Sequence, residues 1–253
     1  MPASDDGTSS SSTTRDRTVV LVVATMAGFL SAFMSSSVNI ALPVIESEFR
    51  LSAVVLGWIP LAYIVTFGGA LMPAGQLSDL KGRKRVFFWG LVVFTLLSFG
   101  GGLAPSASWL IGLRLAQGVG AGMIFATTTA LVTAAYPAAE RGKALGLQVA
   151  GVYLGLTLGP VLGGIITHNV GWRGLFWITG VASLINCVGA AWCLRSKEQM
   201  EVKSFRFDAV GSALYGVSLP AALVGLSFLP GILGIALLVG GVAGLAVFVW
   251  WEG

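Results

Sequence analysis

Negative charge is scarce in this sequence: Asp and Glu together number 11 in 253 residues, and only 10% of residues are charged at all. Soluble domains carry nearer a quarter. A water-soluble fold cannot cover its surface with so few ionised side chains, so the solvent must be lipid. Cysteine is nearly absent too. Cys187 and Cys193 lie six residues apart in one apolar segment, on different helix faces, and read as packing residues rather than a disulfide or metal site. The single histidine, His168, stands near a segment end without partners for acid–base or metal work, and reads as interfacial. No nucleophile–base pair, metal spacing or phosphate loop is visible, so neither an enzyme nor a cofactor is expected. The glycines around Gly118–Gly122 follow no strand and are not a dinucleotide motif. A net charge of +4 does not point to nucleic acid, because the basic residues sit in short clusters between apolar runs.

Apolar residues are what the chain has in quantity: 55% hydrophobic, with a mean hydropathy of +0.86. Eight runs reach the roughly 20 residues a helix needs to span hydrocarbon. They are 18–43, 54–77, 85–104, 108–133, 143–167, 172–194, 208–229 and 231–251. They lack the alternation of a lipid-facing barrel strand, so helices are required. The first run is too long for a signal-peptide core and should stay in the membrane. The fold expected is all-α and integral to the membrane. Residues 1–17, rich in Ser, Thr and Asp, read as a disordered cytoplasmic tail. Residues 18–194 read as a six-helix bundle, 195–207 as a polar cytoplasmic linker, and 208–253 as two further spans.

Orientation follows from Lys and Arg. With the N-terminus inside, the inner segments hold Arg15, Arg17, Lys81, Arg83, Lys84, Arg85, Arg141, Lys143, Arg195, Lys197, Lys203 and Arg206. The outer loops hold only Arg50 and Arg173. That bias puts the N-terminus in the cytoplasm.

Three stretches carry unusual chemistry. Arg114 lies inside the fourth span, where a charge costs about 2.5–3.5 kcal/mol on insertion scales. Gln117, Gly118, Ala121 and Gly122 share its face, which should line a watery cavity or make a tight helix contact. The bland alternative is that Arg114 bonds the carbonyls of a neighbouring helix. In the fifth span Gly151, Gly155, Gly159 and Gly163 form a stripe, with Pro160 and Gly164 beside it. This reads as a bend built for packing or rocking, or as a static seam. In the first span Ser35 and Asn39 lie four apart, facing a cavity together or bonding back to their own helix. No Asp or Glu lies deep in any span.

Together these features resemble the major facilitator superfamily. Gly75-Gln76-Leu77-Ser78-Asp79-Leu80-Lys81-Gly82-Arg83-Lys84-Arg85 resembles its loop signature between helices two and three. Leu113–Gly122 resembles its fourth-helix motif, and Gly155–Gly164 its fifth-helix antiporter motif. Val38–Pro43, Trp58 with Tyr63, and Gly171-Trp172-Arg173 with Phe176 are similar to the fourteen-helix drug/proton antiporter branch. There, spans seven and eight are an extra pair between two six-helix bundles, and the second bundle is missing from this chain.

The resemblance implies secondary active transport, most simply multidrug efflux by proton antiport across the cell membrane. The cargo would be a small molecule, lipophilic or cationic, carried against protons, with the lipid bilayer and the absent second bundle as partners. Arg114 would set the potential near the path, with Gln117, Asn39, Tyr63 and Tyr153 as lining residues. Gly75, Asp79, Gly82, Arg83, Lys84, Arg85, Glu140 and Arg141 would form an inner latch against the other bundle. The alternative for Lys81–Arg85 is orientation and contact with anionic lipid. One departure matters: where the branch commonly has Asp, five residues before Asn39, this chain has Met34. That leaves open a carrier of a small metabolite without proton coupling. A half-length sensor or assembly partner is a third reading.

Overall fold

The computed structural model describes residues 6–193 and 208–252, with side chains for 16–192 and 208–251. The expected linker, 195–207, lies outside the described residues. Among the described residues the structure is all-helical, with eight helices long and apolar enough to cross a membrane. They are α1 (Asp6–Phe49), α2 (Ala53–Lys81), α3 (Arg83–Gly102), α4 (Ala107–Ala135), α5 (Ala138–Val170), α6 (Trp172–Cys193), α7 (Ala209–Ser227) and α8 (Ile232–Glu252).

Each expected run falls within or nearly within one of these helices, and α1, α2, α4 and α5 extend further than hydropathy alone indicates. The first differs most: α1 begins at Asp6, whereas the Ser/Thr-rich composition predicts a disordered tail through residue 17. Adding residues to an existing helix costs far less than nucleating one, so a polar segment can continue a helix already held by its apolar part.

The turns follow from local chemistry. Ser52 and Ser106 cap α2 and α4, their hydroxyls accepting from the N–H of Val55 and Trp109. Asp208 caps α7 by accepting from Gly211 N at 2.9 Å. Two connections are a single glycine each. Gly82 (φ 95°) joins α2 to α3 and Gly171 (φ 85°) joins α5 to α6. Each donates its N–H back to the helix just ended, at Ser78 O and Thr167 O. A side chain is strained at such φ values, so glycine alone turns the chain this sharply without cost.

Helices α1–α6 pack as one body around a continuous core that includes Leu30, Met34, Ile59, Tyr63, Phe87, Phe94, Leu110, Ile124, Trp172 and Phe176. Helix α5 fully buries no apolar side chain larger than Ala. Its buried face is Ala144, Gln148, Gly151, Gly155, Gly159, Gly163 and Thr167, and it lies along α1. Helix α7 lies on α2, and α8 packs on α7. Cross-helix bonds tie the body further: Thr95 to Ser183 at 2.7 Å between α3 and α6, and Asn186 Nδ2 to Val23 O at 3.1 Å between α6 and α1. Cys187 is free and half-buried, as a packing residue would be.

Candidate functional site

The fourth helix brings its charge into the interior. Arg114 is 1% exposed, and partners from the same and neighbouring helices surround it. Its Nε donates to the carbonyl of Ile59 on α2 at 3.4 Å, and its Nη1 donates to Gln117 Oε1 at 2.8 Å. The guanidinium carbon stands 4.2 Å from the centre of the Tyr63 ring. Gln117 passes the connection on, its Nε2 donating to Ser98 Oγ on α3 at 2.8 Å, and Ser98 donates to Phe94 O at 2.7 Å. Tyr63 reaches the first helix, its hydroxyl donating to Ser31 O at 3.3 Å. Four helices therefore share one polar thread. A guanidinium in low dielectric is tolerated only when hydrogen-bonded, which is what the thread supplies. One atom is left over: Arg114 Nη2 is buried without a hydrogen-bond partner.

The face expected to line a cavity or make a tight contact makes the contact. A Cβ on Gly118 would collide with Thr66 Oγ1 and Tyr63 O, and one on Gly122 would come within 2.7 Å of Ala70 Cβ. Residues 118 and 122 thus meet α2 in parallel register. Arg114, Gln117 and Tyr63 are buried inside the bundle, where the small residues beside them let α2 and α4 close over them. Asn39 and Tyr153 are not part of this thread. Both are exposed, and Asn39 Nδ2 bonds back to Ser35 O at 3.1 Å. Tyr153 is 65% exposed on the open face of α5.

The glycine stripe faces α1 of the same body. A Cβ on Gly151 would meet Thr25, and one on Gly155 the Phe29 carbonyl. On Gly159 and Gly163 it would lie 2.7 and 2.6 Å from the Cβ atoms of Ser36 and Ser37. The two helices run parallel, and Ser36 Oγ donates to Leu156 O at 2.9 Å across the seam. Gly164 is looser, with Ile40 at 3.7 Å, and Pro160 is exposed inside an unbroken α5.

At the junction of α2 and α3, Arg83 pairs with Asp79 one turn away at 3.5 Å, both about 44% exposed. Gly82 makes the turn itself, while Gly75 has open space around it. Lys84 is half-buried, Arg85 and Glu140 are exposed, and Arg141 Nε in the first turn of α5 donates to Tyr136 O at the end of α4 at 3.0 Å. Gln76, in the same signature, accepts from Ser212 on α7 at 2.7 Å.

Sequence reasoning missed a cluster at the opposite end. Glu48 pairs with Arg173 at 2.7 Å and accepts from Trp172 Nε1 at 2.7 Å. Arg173 Nη2 also donates to Ala104 O at 3.1 Å, and its guanidinium covers the Trp172 ring at 4.3 Å. Ends of α1, α3 and α6 meet there. Nothing local in the Glu48 region signals its partner 125 residues on. Ser98 was equally silent.

Comparison with known proteins agrees with this architecture. A sequence model described as the Major Facilitator Superfamily matches residues 24–251. The chain is 34% identical over 246 residues to the multidrug resistance protein Stp of Mycobacterium tuberculosis, covering 94% of this chain and 45% of that protein. It is 35% identical over 164 residues to the riboflavin transporter RibZ of Clostridioides difficile, covering 65% of this chain and 36% of that protein. Among solved structures, a bacterial homologue of the human lysosomal transporter Spinster superposes with a TM-score of 0.64 at 20% identity, covering 92% of this chain and 59% of that one. The chain spans less than half the length of these two curated relatives.

Proposed function

The chain belongs to the Major Facilitator Superfamily, and on that premise we propose that it works in secondary active export of small molecules of the multidrug type, with the proton as coupling ion. The observation that carries this is the polar thread around Arg114. A membrane protein has no stability reason to keep a guanidinium in its interior when an apolar side chain packs there without desolvation cost. A charge kept inside and tied to four helices serves whatever passes beside it. The printed name of the Mycobacterium tuberculosis relative supports multidrug export as the kind of transport. Asn39 and Tyr153, exposed on α1 and α5, line the path from this side, and a second six-helix bundle forms the other wall. The Asp79–Arg83 pair, with Gly75, Gly82, Lys84, Arg85, Glu140 and Arg141, latches the inner face to that bundle. The protein sits in the cell membrane with its N-terminus in the cytoplasm, as the Lys and Arg bias supports.

A second reading has its own support. Met34 is fully buried in the apolar core, and among the described residues every Asp and Glu lies in the first or last turn of a span or at its cap. This favours a small-metabolite carrier without proton coupling. The riboflavin transporter shows that such cargo occurs among the relatives.

The test is efflux from cells expressing the gene that encodes the chain, using a panel of neutral, anionic and cationic lipophilic dyes. Export of at least one dye, weakened by Arg114→Ala, is expected. Retention of every dye at normal expression overturns the multidrug reading. Export that survives collapse of the proton gradient moves the assignment to the second.

A further inference from the structure

We infer that α2 and α7 form a coupled pair of hinges, so that the halves of the two helices on the Asp79 side swing as one and the α7–α8 hairpin follows α2. The inference concerns motion within this chain and stands apart from the export reading above.

The crossing of the two helices is reciprocal. Each carries a glycine and then a proline one turn later, Gly69 and Pro73 on α2 and Gly216 and Pro220 on α7, with both prolines inside their helices. Proline has no N–H. Pro73 therefore leaves the Gly69 carbonyl, and Pro220 the Gly216 carbonyl, without its helical donor. These two carbonyls are the ones that meet at the crossing. A Cβ on Gly69 would lie 3.1 Å from Gly216 O and 2.7 Å from Pro220 Cγ. A Cβ on Gly216 would lie 3.4 Å from Gly69 O and 3.6 Å from Pro73 Cγ. Each released oxygen rests against the glycine of the other helix, the setting in which Cα–H···O contacts recur between helices.

A turn that lacks its hydrogen bond is where a helix bends most readily. Here two such turns lie face to face, and the helices are fastened on both sides of them. Toward Asp79, Ser212 Oγ on α7 donates to Gln76 Oε1 on α2 at 2.7 Å. Toward the opposite end, the Phe228 ring stands 5.9 Å from that of Trp58. Two rods joined on either side of a matched joint do not bend separately. A swing of the α2 half that ends in Asp79 draws the facing half of α7 with it through Gln76. Helix α8 is carried along: a Cβ on Gly241 would collide with the Ala222 backbone of α7, and Trp251 Nε1 donates to Asp208 Oδ2 at 3.2 Å.

Spin labels on Leu80→Cys, Val210→Cys and Ala134→Cys measure the motion, since these positions are exposed near the ends of α2, α7 and α4 on one side of the body. They are introduced two at a time in the full chain in lipid nanodiscs, with Cys187→Ser and Cys193→Ser to leave no other thiol. The wild type should give a narrow Leu80–Val210 distance distribution, and wider ones for Ala134–Leu80 and Ala134–Val210. Pro73→Ala restores a donor to α2 alone, yet it should strip the outlying distances from Ala134–Val210 as well as from Ala134–Leu80. Pro220→Ala should do the same from the α7 side. Narrowing confined to the helix that carries the substitution, or no narrowing in either, overturns the inference. So does a wild-type Leu80–Val210 distribution as wide as the other two, or three equally narrow ones. If neither proline variant folds, the wild-type distributions decide alone. Dye export in cells tests the export reading separately, whatever these distances show.

Discussion

Arg114 and Tyr63 form a stacked pair across α4 and α2, the guanidinium carbon 4.2 Å from the ring centre, and the same ring ends in a hydroxyl that holds α1 at Ser31. The two ends of Tyr63 therefore do separable jobs. Tyr63→Phe keeps the stack and loses the bond to α1, which costs about 1 kcal/mol of stability. Tyr63→Leu loses the stack as well and costs about 2 kcal/mol more, because the guanidinium is desolvated. Thermal unfolding in detergent ranks the two, and dye efflux should fall more steeply in Tyr63→Leu. Equal effects of the two changes would show that the stack contributes nothing.

The α1–α5 seam separates glycines that are required from one that is not. A Cβ at Gly155 collides with the Phe29 backbone, which cannot swing aside as a side chain can. Gly155→Ala should cost about 1–3 kcal/mol, the usual range for overpacking. Gly164→Ala adds an ordinary contact at 3.7 Å from Ile40 and should stay within about 0.5 kcal/mol of the parent. Apparent melting temperatures of the two purified variants decide the matter, and a Gly155→Ala protein as stable as the parent would remove the seam from the account.

At the far end, Glu48 serves both Trp172 and Arg173. Glu48→Gln preserves an acceptor for Trp172 and deletes only the charge facing Arg173. The pair is more than a third exposed, so the loss should be small, about 1 kcal/mol or less, and should shrink further at high salt. Glu48→Leu removes both partners' acceptor and should lower the melting point more. Melting curves at low and high salt check the sign: an undiminished Glu48→Gln effect in molar salt would rule out a charge interaction.

The helices were legible because hydrocarbon demands that each spanning backbone satisfy itself, which makes a spanning helix a property of its own twenty residues. The turns at Gly82 and Gly171 fall between expected runs, but that a single glycine at positive φ makes each of them is visible only in the structure. The oddity of Arg114 was legible as well, because a charge in an apolar run is visible without any fold. Its setting was not. The sequence allowed the Arg114 face a cavity or a contact, and the glycine stripe on α5 a hinge or a seam. Local periodicity says which residues share a face and is silent on what that face meets. Ser98 and Glu48 left no trace at all, each being an ordinary residue until its partner arrives.

By itself, then, the sequence determined that this protein lives in a bilayer, where every span but the first begins and ends to within five residues, and which side chains are out of place there. Tertiary structure alone decided that α5 lies on α1, that α2 and α4 close over Arg114, and that Nη2 is left without an acceptor. The reason is the range of the forces. Burial of an apolar run is settled against lipid one helix at a time, whereas the bond from Arg114 to Ile59 spans 55 residues and exists only once two helices have packed.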